Sequence, residues 1–479
     1  TPKINLIQSA GVTMELKESA YRNTAVAVSP DGKYAAVSNV NADVTLCDIL
    51  NGKMNWKLNS PKGIGAGTPD ALVVPAFTPD GKKLLTGWGD NLLKILDIET
   101  GKIVKSLGSY DSKGINWFGE SNIFSIAVSS DGKKAVTGGG DKTVRLWDLD
   151  HGTLINTFKG HGGSGGPLDI VMALAVDISK DGKYSLSGGD VTVRLWNNDT
   201  GSEMLKINAH RGGMQGGTGA VFFTKDGLKA ISSGCADGKI KLWDLKTGTL
   251  IRESEASSTG NSDCIEGLDM SIDGKFLLST DRGAFIRLWD VDTGKLLKSY
   301  RGHGGFGGGM VELFGGVKGT YDSAKFHSDG KRFITTSSDA SFRIRDLNTG
   351  EDDVLLVSFP DNEWIVITSD GYYNSSEKGA QYLSVKVGEK SYSVDSFYDV
   401  FYRPDIVAAK LRGEDIKDLV TITMQDAIKS PPPVVEISPI AASPKAKVCY
   451  NVKSTGGGIG EIRLFHNGKL IESDGFYKD

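Results

Sequence analysis

The side chains of this chain that could do chemistry are its histidines, its cysteines and the amides of its glycine-rich loops. There are 6 histidines, and three of them, His161, His210 and His303, directly follow Gly160, Ala209 and Gly302. An imidazole can ligate a metal or carry a proton. No His-x-Glu or His-Glu-x-x-His spacing accompanies these three, so nothing sets two ligands and a base on one face. The 4 cysteines, Cys47, Cys235, Cys264 and Cys449, are far apart in strand-like stretches. That is neither a Cys-x-x-Cys knuckle nor a disulfide framework, and they read as small buried hydrophobes. No His/Cys dyad can be assigned. Turns such as Asp292-Thr293-Gly294 hold too few oxygens in series for a calcium loop. The glycine-rich loops run from Lys62 to Gly67, His161 to Pro167, His210 to Gly217 and His303 to Met310, the last continuing to Gly316. Successive glycine amides can form an anion-binding nest. No Gly-Lys-Ser/Thr follows any of these loops and no helix starts there, so the likeness to a phosphate loop is superficial.

What must position these residues is a repeat. Seven times a Ser, Thr or His stands two residues before an Asp-Gly pair, at Asp31, Asp80, Asp131, Asp181, Asp226, Asp273 and Asp329, with a period of 45 to 56 residues. Later in each unit a short apolar run is closed by Asp48, Asp97, Asp148, Asn197, Asp244, Asp290 or Asp346, with Trp147, Trp196, Trp243 and Trp289 just before four of them. Asp-Gly suits a tight turn because glycine reaches positive φ at no steric cost. Flanking stretches such as Thr24–Val28 and Phe124–Val128 alternate as strands do. Each unit supplies four strands, and a lone four-stranded sheet leaves both faces wet. Stacking seven around a ring hides those faces, so the spacing predicts an all-β, seven-bladed β-propeller. Ile4–Ile7 is expected to close the ring by completing the last blade beside Val354–Phe359. A possible eighth copy, Ser369-Asp370-Gly371, has no Leu-Trp-Asp run after it.

These motifs resemble the WD-repeat family over roughly residues 20 to 350. The resemblance implies that the Gly-His histidines are structural, in hydrogen-bonded sets joining a loop to a strand hydroxyl, a hairpin Asp and the Trp. In this sequence the sets are His161, Ser187, Asp190 and Trp196, then His210, Ser232 or Ser233, Asp237 and Trp243, and a weakened set of His303 and Asp339 with Arg345 in the Trp position. Such sets order a blade because every polar group in them is satisfied internally.

Composition sets limits. With 55 basic against 59 acidic residues in 479, no global field draws the chain to nucleic acid. No run of 18 apolar residues predicts a membrane span. The start at Thr1-Pro2-Lys3 fits either an engineered end or a mature end left by an export signal. The domain reading is 1–369 propeller, 370–430 strand and helix connector, and 434–479 the incomplete beginning of an immunoglobulin-like β-sandwich. Within the connector, Ser396–Leu411 reads as helix restarted at Pro404, and Ile416, Leu419, Val420, Met424 and Ile428 read as an amphipathic helix. Because the sandwich is incomplete, the native polypeptide is expected to continue past Asp479.

The motifs at 363–376, 401–407 and 456–460 also resemble bacterial WD-repeat proteins fused to a caspase-like peptidase. That resemblance implies an exported or periplasmic protein, with cytoplasmic as the alternative, and a peptidase lying beyond residue 479.

The glycine-rich loops precede innermost strands and should crowd one face of the disc. Packed filler, a protein-contact surface and a small anion site all remain open there. Trp117, Phe118, Arg211, Met214, Phe306, Met310 and Phe314 are the candidate contact residues, since aromatics, Met and Arg on rigid loops are common anchors; the apolar ones could instead fold back and plug the channel. A ligand-binding propeller would need polar groups lining that channel, and the sequence shows glycine there. The reading is a non-enzymatic protein-interaction scaffold with no cofactor, no metal and no small-molecule substrate. The alternative is the regulatory part of a caspase-like cysteine peptidase.

Overall fold

In the computed structural model the described residues are 4–9, 12–16, 23–59 (without 40 and 42), 74–87, 92–108, 123–162, 175–212, 217–256, 264–281, 285–302, 323–336, 341–423 (without 388), 426, 434–437, 450–453, 461–466 and 469–476. Contacts divide the chain into two compact units, Ala20–Leu50 with Met54–Asp353, and Thr1–Ser19 with Asn51–Lys53 and Val354–Asp479.

The larger unit is a seven-bladed propeller whose blades are antiparallel sheets of consecutive strands. Their innermost strands are Asn23–Val28, Pro75–Phe77, Ile123–Val128, Ala175–Ile178, Thr218–Phe223, Ile265–Met270 and Ser323–Phe326. The second and third strands of a blade are buried on both faces, as in Tyr34–Asn39, Val44–Asp48 and Lys134–Gly139. Fourth strands such as Thr153–Lys159 and Glu203–Asn208 are mostly exposed. Burial therefore lies between blades: Val136, Leu146 and Phe158 of the third blade, for example, pack with Val176, Ile178 and Trp196 of the fourth.

The residue two before each Asp-Gly pair has a definite task. Ser129 Oγ donates to Asp131 at 2.6 Å and accepts the Lys134 amide at 2.9 Å, while Asp131 accepts the Lys133 amide at 3.0 Å. Gly132 follows at φ 70°, where a side chain would be strained. Ser29, Thr78, Ser179, Thr224 and Ser271 repeat the bond to the turn carboxylate. In the seventh blade His327 substitutes, its Nδ1 lying 3.1 Å from Asp329.

Outer latches join the blades. Eight residues after the Asp or Asn that closes a blade stand Trp56, Lys105, Asn156, Arg252 and Lys298. Each donates to a carbonyl one or two residues past the corresponding closing residue of the next blade: Trp56 to Ile98, Lys105 to Leu149 and Asp150, Asn156 to Asn198, Arg252 to Val291 and Asp292, and Lys298 to Asn348. The fourth blade has Leu205 at this position, and it joins Leu245 against an apolar cluster.

One expectation fails on topology. Ile4–Ser9 pairs with Val12–Leu16, not with Val354–Phe359. The edge of Val354–Ser358 is taken by Trp364–Thr368, in register Val354↔Thr368 to Ser358↔Trp364. With that edge filled, no place was vacant for Ile4–Ile7. The ring closes instead by packing of Asn23–Val28 on Ser323–Phe326 and Arg332–Thr336.

In the smaller unit Val12–Leu16 pairs with Leu383–Val387, which pairs with Lys390–Ser393. A short helix Tyr398–Phe401 precedes the helix Pro404–Leu411, which buries Ile406, Val407, Ala409 and Leu411. Proline fits its first position because no amide is needed there. Of the amphipathic helix expected from Glu414, residues 414–423 are not helical, Asp426 is, and Met424 and Ile428 lie outside the described residues. Gly413, at φ 74°, ends the preceding helix by donating to Lys410, and the Glu414 amide returns to Ala409, which turns the chain away before the apolar spacing can act. Further on, Val434–Ile437 pairs with Tyr450–Lys453, and Glu461–His466 with Lys469–Phe476.

Candidate functional site

His161 and His210 hold equivalent places at the start of the loops that follow the third and fourth blades. His161 Nε2 is 2.7 Å from Ser187 Oγ and Nδ1 is 3.0 Å from Asp190, while Trp196 Nε1 donates to the same Ser187 Oγ at 2.7 Å. One protonation pattern satisfies all of it: Trp196 N–H to Ser187, Ser187 O–H to Nε2, and Nδ1–H to Asp190. Asp190 also accepts from the Gly162 and Thr192 amides and the Thr192 hydroxyl. In the next blade His210 reaches Ser232 at 2.8 Å and Asp237 at 3.0 Å, and Trp243 donates to Ser232 at 2.8 Å. Of the two serines open at that position, Ser232 is the one in the relay; Ser233 donates to Ile265 O instead.

Burial opposes ionisation of Asp190, but its bonds from His161 and Thr192 hold it well below the usual carboxylate range. Asp237 is likewise disfavoured by burial and brought down to about 2 by its His210 and Lys241 partners. Burial pushes His210 down against the pull of Asp237, which fits a neutral ring donating from Nδ1. Serine, histidine and aspartate in this order could serve acyl transfer. Here Ser187 and Ser232 are 0% exposed and occupied by indole N–H groups, so no substrate meets them. The relays do fix loops. Gly162 is tied to Asp190, the His210 amide to Val191 O, and Lys241 Nζ to Ala209 O at 2.6 Å.

Elsewhere the set thins. Trp147 bonds Thr137 and Trp289 bonds Ser279 with no histidine. In the second blade the Trp position is Leu96, and Thr86 Oγ1 is buried with no partner among the described residues. In the seventh, Arg345 bonds Arg301 O and Gly350 O and stacks on Phe333. His303 and Asp339 lie outside the described residues, as do Trp117, Phe118, Met214, Phe306, Met310 and Phe314. Arg211 is described and exposed, one residue beyond the His210 relay.

Polar groups do stand on the innermost strands, contrary to the expectation of glycine alone. Four residues before the turn Asp, the blades carry Ala27, Ala76, Ala127, Asp177, Phe222, Asp269 and Lys325 in order. Asp177 accepts the Phe223 amide at 2.7 Å, and Asp269 accepts the Phe326 amide at 2.8 Å and Lys325 Nζ at 3.0 Å. Burial pushes the Asp177 carboxyl up to about 7, although two amides and Lys325 favour its anion. The sequence held this signal once the seven turns were aligned, because three alanines give way to charged and aromatic residues in a single column.

A second group was missed. Cys235 and Cys264 are joined by a disulfide, which corrects their reading as separate buried hydrophobes; Cys47 is buried, its thiol pushed up to about 12. The end of a second strand lies against the start of the next blade's first strand throughout the ring, and these two cysteines occupy those places. Among the described residues no group of three or more His, Cys, Asp or Glu could hold a metal ion, and no helix is long and apolar enough to cross a membrane.

Comparison with known proteins finds the WD domain, G-beta repeat, at residues 114–148, 152–197, 202–244 and 252–290. The chain is similar to cilia- and flagella-associated protein 52 of Bos taurus, 25% identical over 232 residues, covering 48% of this chain and 33% of that protein. It is also similar to autophagy-related protein 16 of Arabidopsis thaliana, 28% identical over 268 residues, 56% of this chain and 37% of the relative. A third is angio-associated migratory cell protein of Homo sapiens, 27% identical over 279 residues, 50% of this chain and 62% of the relative. The matches thus span about a third to three fifths of these relatives. They are eukaryotic proteins, and the likeness to bacterial caspase-fused chains finds no counterpart among them. The chain carries WD repeats in a seven-bladed propeller, a fold that fits a protein-interaction scaffold.

Proposed function

We propose that this WD-repeat propeller is a rigid platform that presents the loops on its His161 and His210 side to a protein partner. The observation that carries the reading is the anchoring of those loops. Both leave the ring from a completed Trp-Ser-His-Asp relay, in equivalent positions of adjacent blades, so their first residues are fixed while Arg211 is exposed directly beyond. Ordering a loop before binding lowers the entropy cost of association. The contact residues on this reading are Arg211 and Met214 with Trp117, Phe118, Phe306, Met310 and Phe314. The strands at 434–476 would begin an immunoglobulin-like sandwich, a reading supported by their antiparallel pairing. A regulatory role for a peptidase beyond Asp479 rests on motif resemblance alone.

The test is co-purification of partners with wild type and with an Arg211→Glu, Phe306→Ser, Phe314→Ser variant, after circular dichroism shows that the variant folds. Loss of at least one stoichiometric partner is the expected outcome. Unchanged recovery of every partner by the folded variant would sink the proposal.

A further inference from the structure

The Cys235–Cys264 bond joins two adjacent blades. Cys235 follows the strand Lys229–Gly234 of the fifth blade, and Cys264 directly precedes the innermost strand Ile265–Met270 of the sixth. Both are buried, at 9% and 0% exposure. This joint is already well held without the bond. Ser233 Oγ donates to Ile265 O at 3.0 Å, Arg252 reaches Val291 O and Asp292 O, and Ser254 Oγ donates to Gly294 O at 2.9 Å. Between these inner and outer ties, Ile231, Leu242, Ala256, Ile265, Leu277 and Trp289 form one apolar cluster. The joint can therefore form with the cysteines reduced. The covalent link adds a constraint instead, since it closes a loop of sequence separation 29 that contains both outer strands of the fifth blade, Lys239–Asp244 and Leu250–Glu255. Closing such a loop removes freedom from any opened form.

We propose that Cys235 and Cys264 form a redox-governed lock on the joint between the fifth and sixth blades, closed by a disulfide-bearing oxidant and opened by thiols. In closing, the Cys235 thiolate, the less buried of the two, attacks one sulfur of the oxidant's disulfide when the joint breathes. The first oxidant thiol leaves with a proton. The Cys264 thiolate then attacks Cys235 in the mixed disulfide and expels the second oxidant thiol, which takes the second proton. The protein gives up two electrons and two protons, and the oxidant departs as two thiols. Opening is the reverse reaction.

The test uses the whole chain equilibrated in buffers from oxidised to reduced glutathione, alkylated under denaturing conditions and mapped by mass spectrometry. Cys235 and Cys264 are expected to be linked in oxidised buffer and alkylated in reduced buffer, with Cys47 alkylated in both. Hydrogen exchange is read on the same samples. Reduction should speed amide exchange about tenfold in Leu250–Glu255 and Ile265–Met270, leave Ile123–Val128 unchanged, and lower Tm by about 5 °C. A Cys235→Ser, Cys264→Ser variant should fold and match the reduced protein in every buffer. Free thiols at both positions in oxidised buffer, exchange in those strands indifferent to redox state, or a double variant that fails to fold would each overturn the proposal.

Discussion

A single hydroxyl changes meaning with its neighbours. Ser187 and Thr86 occupy the same place in their blades, six residues after the turn Asp, but Ser187 receives Trp196 and gives to His161 while Thr86 Oγ1 has no partner among the described residues. Ser187→Ala should therefore strand a buried indole N–H and an imidazole nitrogen and cost about 2–3 kcal/mol. Thr86→Val, nearly isosteric, should be neutral or gain up to about 1 kcal/mol, because it removes an unpaid desolvation. Urea unfolding of both variants decides this, and a costly Thr86→Val would mean the hydroxyl is bonded after all. Asp177 makes a prediction in pH. Its folded pKa stands at about 7, above the ordinary 3.8, so between those values the folded state holds a proton that the unfolded state has lost. Its contribution to stability is full below about pH 4 and falls as pH rises toward 7. Lys325 and Asp269 face the same cluster, so the clean measure is wild type against Asp177→Asn, which keeps an oxygen for the Phe223 amide. The Tm of the variant relative to wild type should rise steadily from pH 4 to 7, and a constant difference would show that Asp177 titrates normally.

At the scale of elements, the parts read correctly from sequence were those fixed by short-range rules, and the misreadings came from long-range competition. The hairpin at Ser129–Lys134 was legible because Ser, Asp and Gly each do a local task within six residues. The helix starting at Pro404 was legible for the same reason. The non-helical course of 414–423 was not, because a good apolar spacing says nothing of a glycine one residue upstream that has already closed a helix and turned the chain. The outer latches and the Cys235–Cys264 bond depend on which residue of one blade meets which of the next. That register appears in the sequence only after the repeats are laid over each other. The latches carry their own prediction. Lys105→Met keeps the aliphatic stem but removes the donor to Leu149 O and Asp150 O, and should lower ring stability by about 0.5–1.5 kcal/mol. Leu205→Met at the equivalent place removes no donor and should change stability by less than about 0.5 kcal/mol. Equal losses in denaturant titrations would show that the position works by packing alone.

For the whole ring, closure was the step the sequence reading placed in the wrong strand. An opening strand far ahead of the first turn invites the inference that it returns to finish the last blade, since a ring needs a joint between its ends. What the pattern could not reveal is that Trp364–Thr368 takes the free edge of Val354–Ser358. The ring then shuts by side-chain packing of Asn23–Val28 against the seventh blade, with the Gly32 turn close to His327 and Ser328. A joint without a shared strand has no exchanged backbone ladder to hold it, so its strength is that of the buried side chains at the interface. Ile4–Leu16 serves another sheet, through the pairing of Val12–Leu16 with Leu383–Val387. A chain starting at Ala20 should therefore keep native amide protection in Asn23–Val28 and Ser323–Phe326 while losing it in Leu383–Val387. Hydrogen exchange with mass detection separates these strands. Loss of protection at Asn23–Val28 and Ser323–Phe326 in the shortened chain would mean that the opening strands are part of the closure after all.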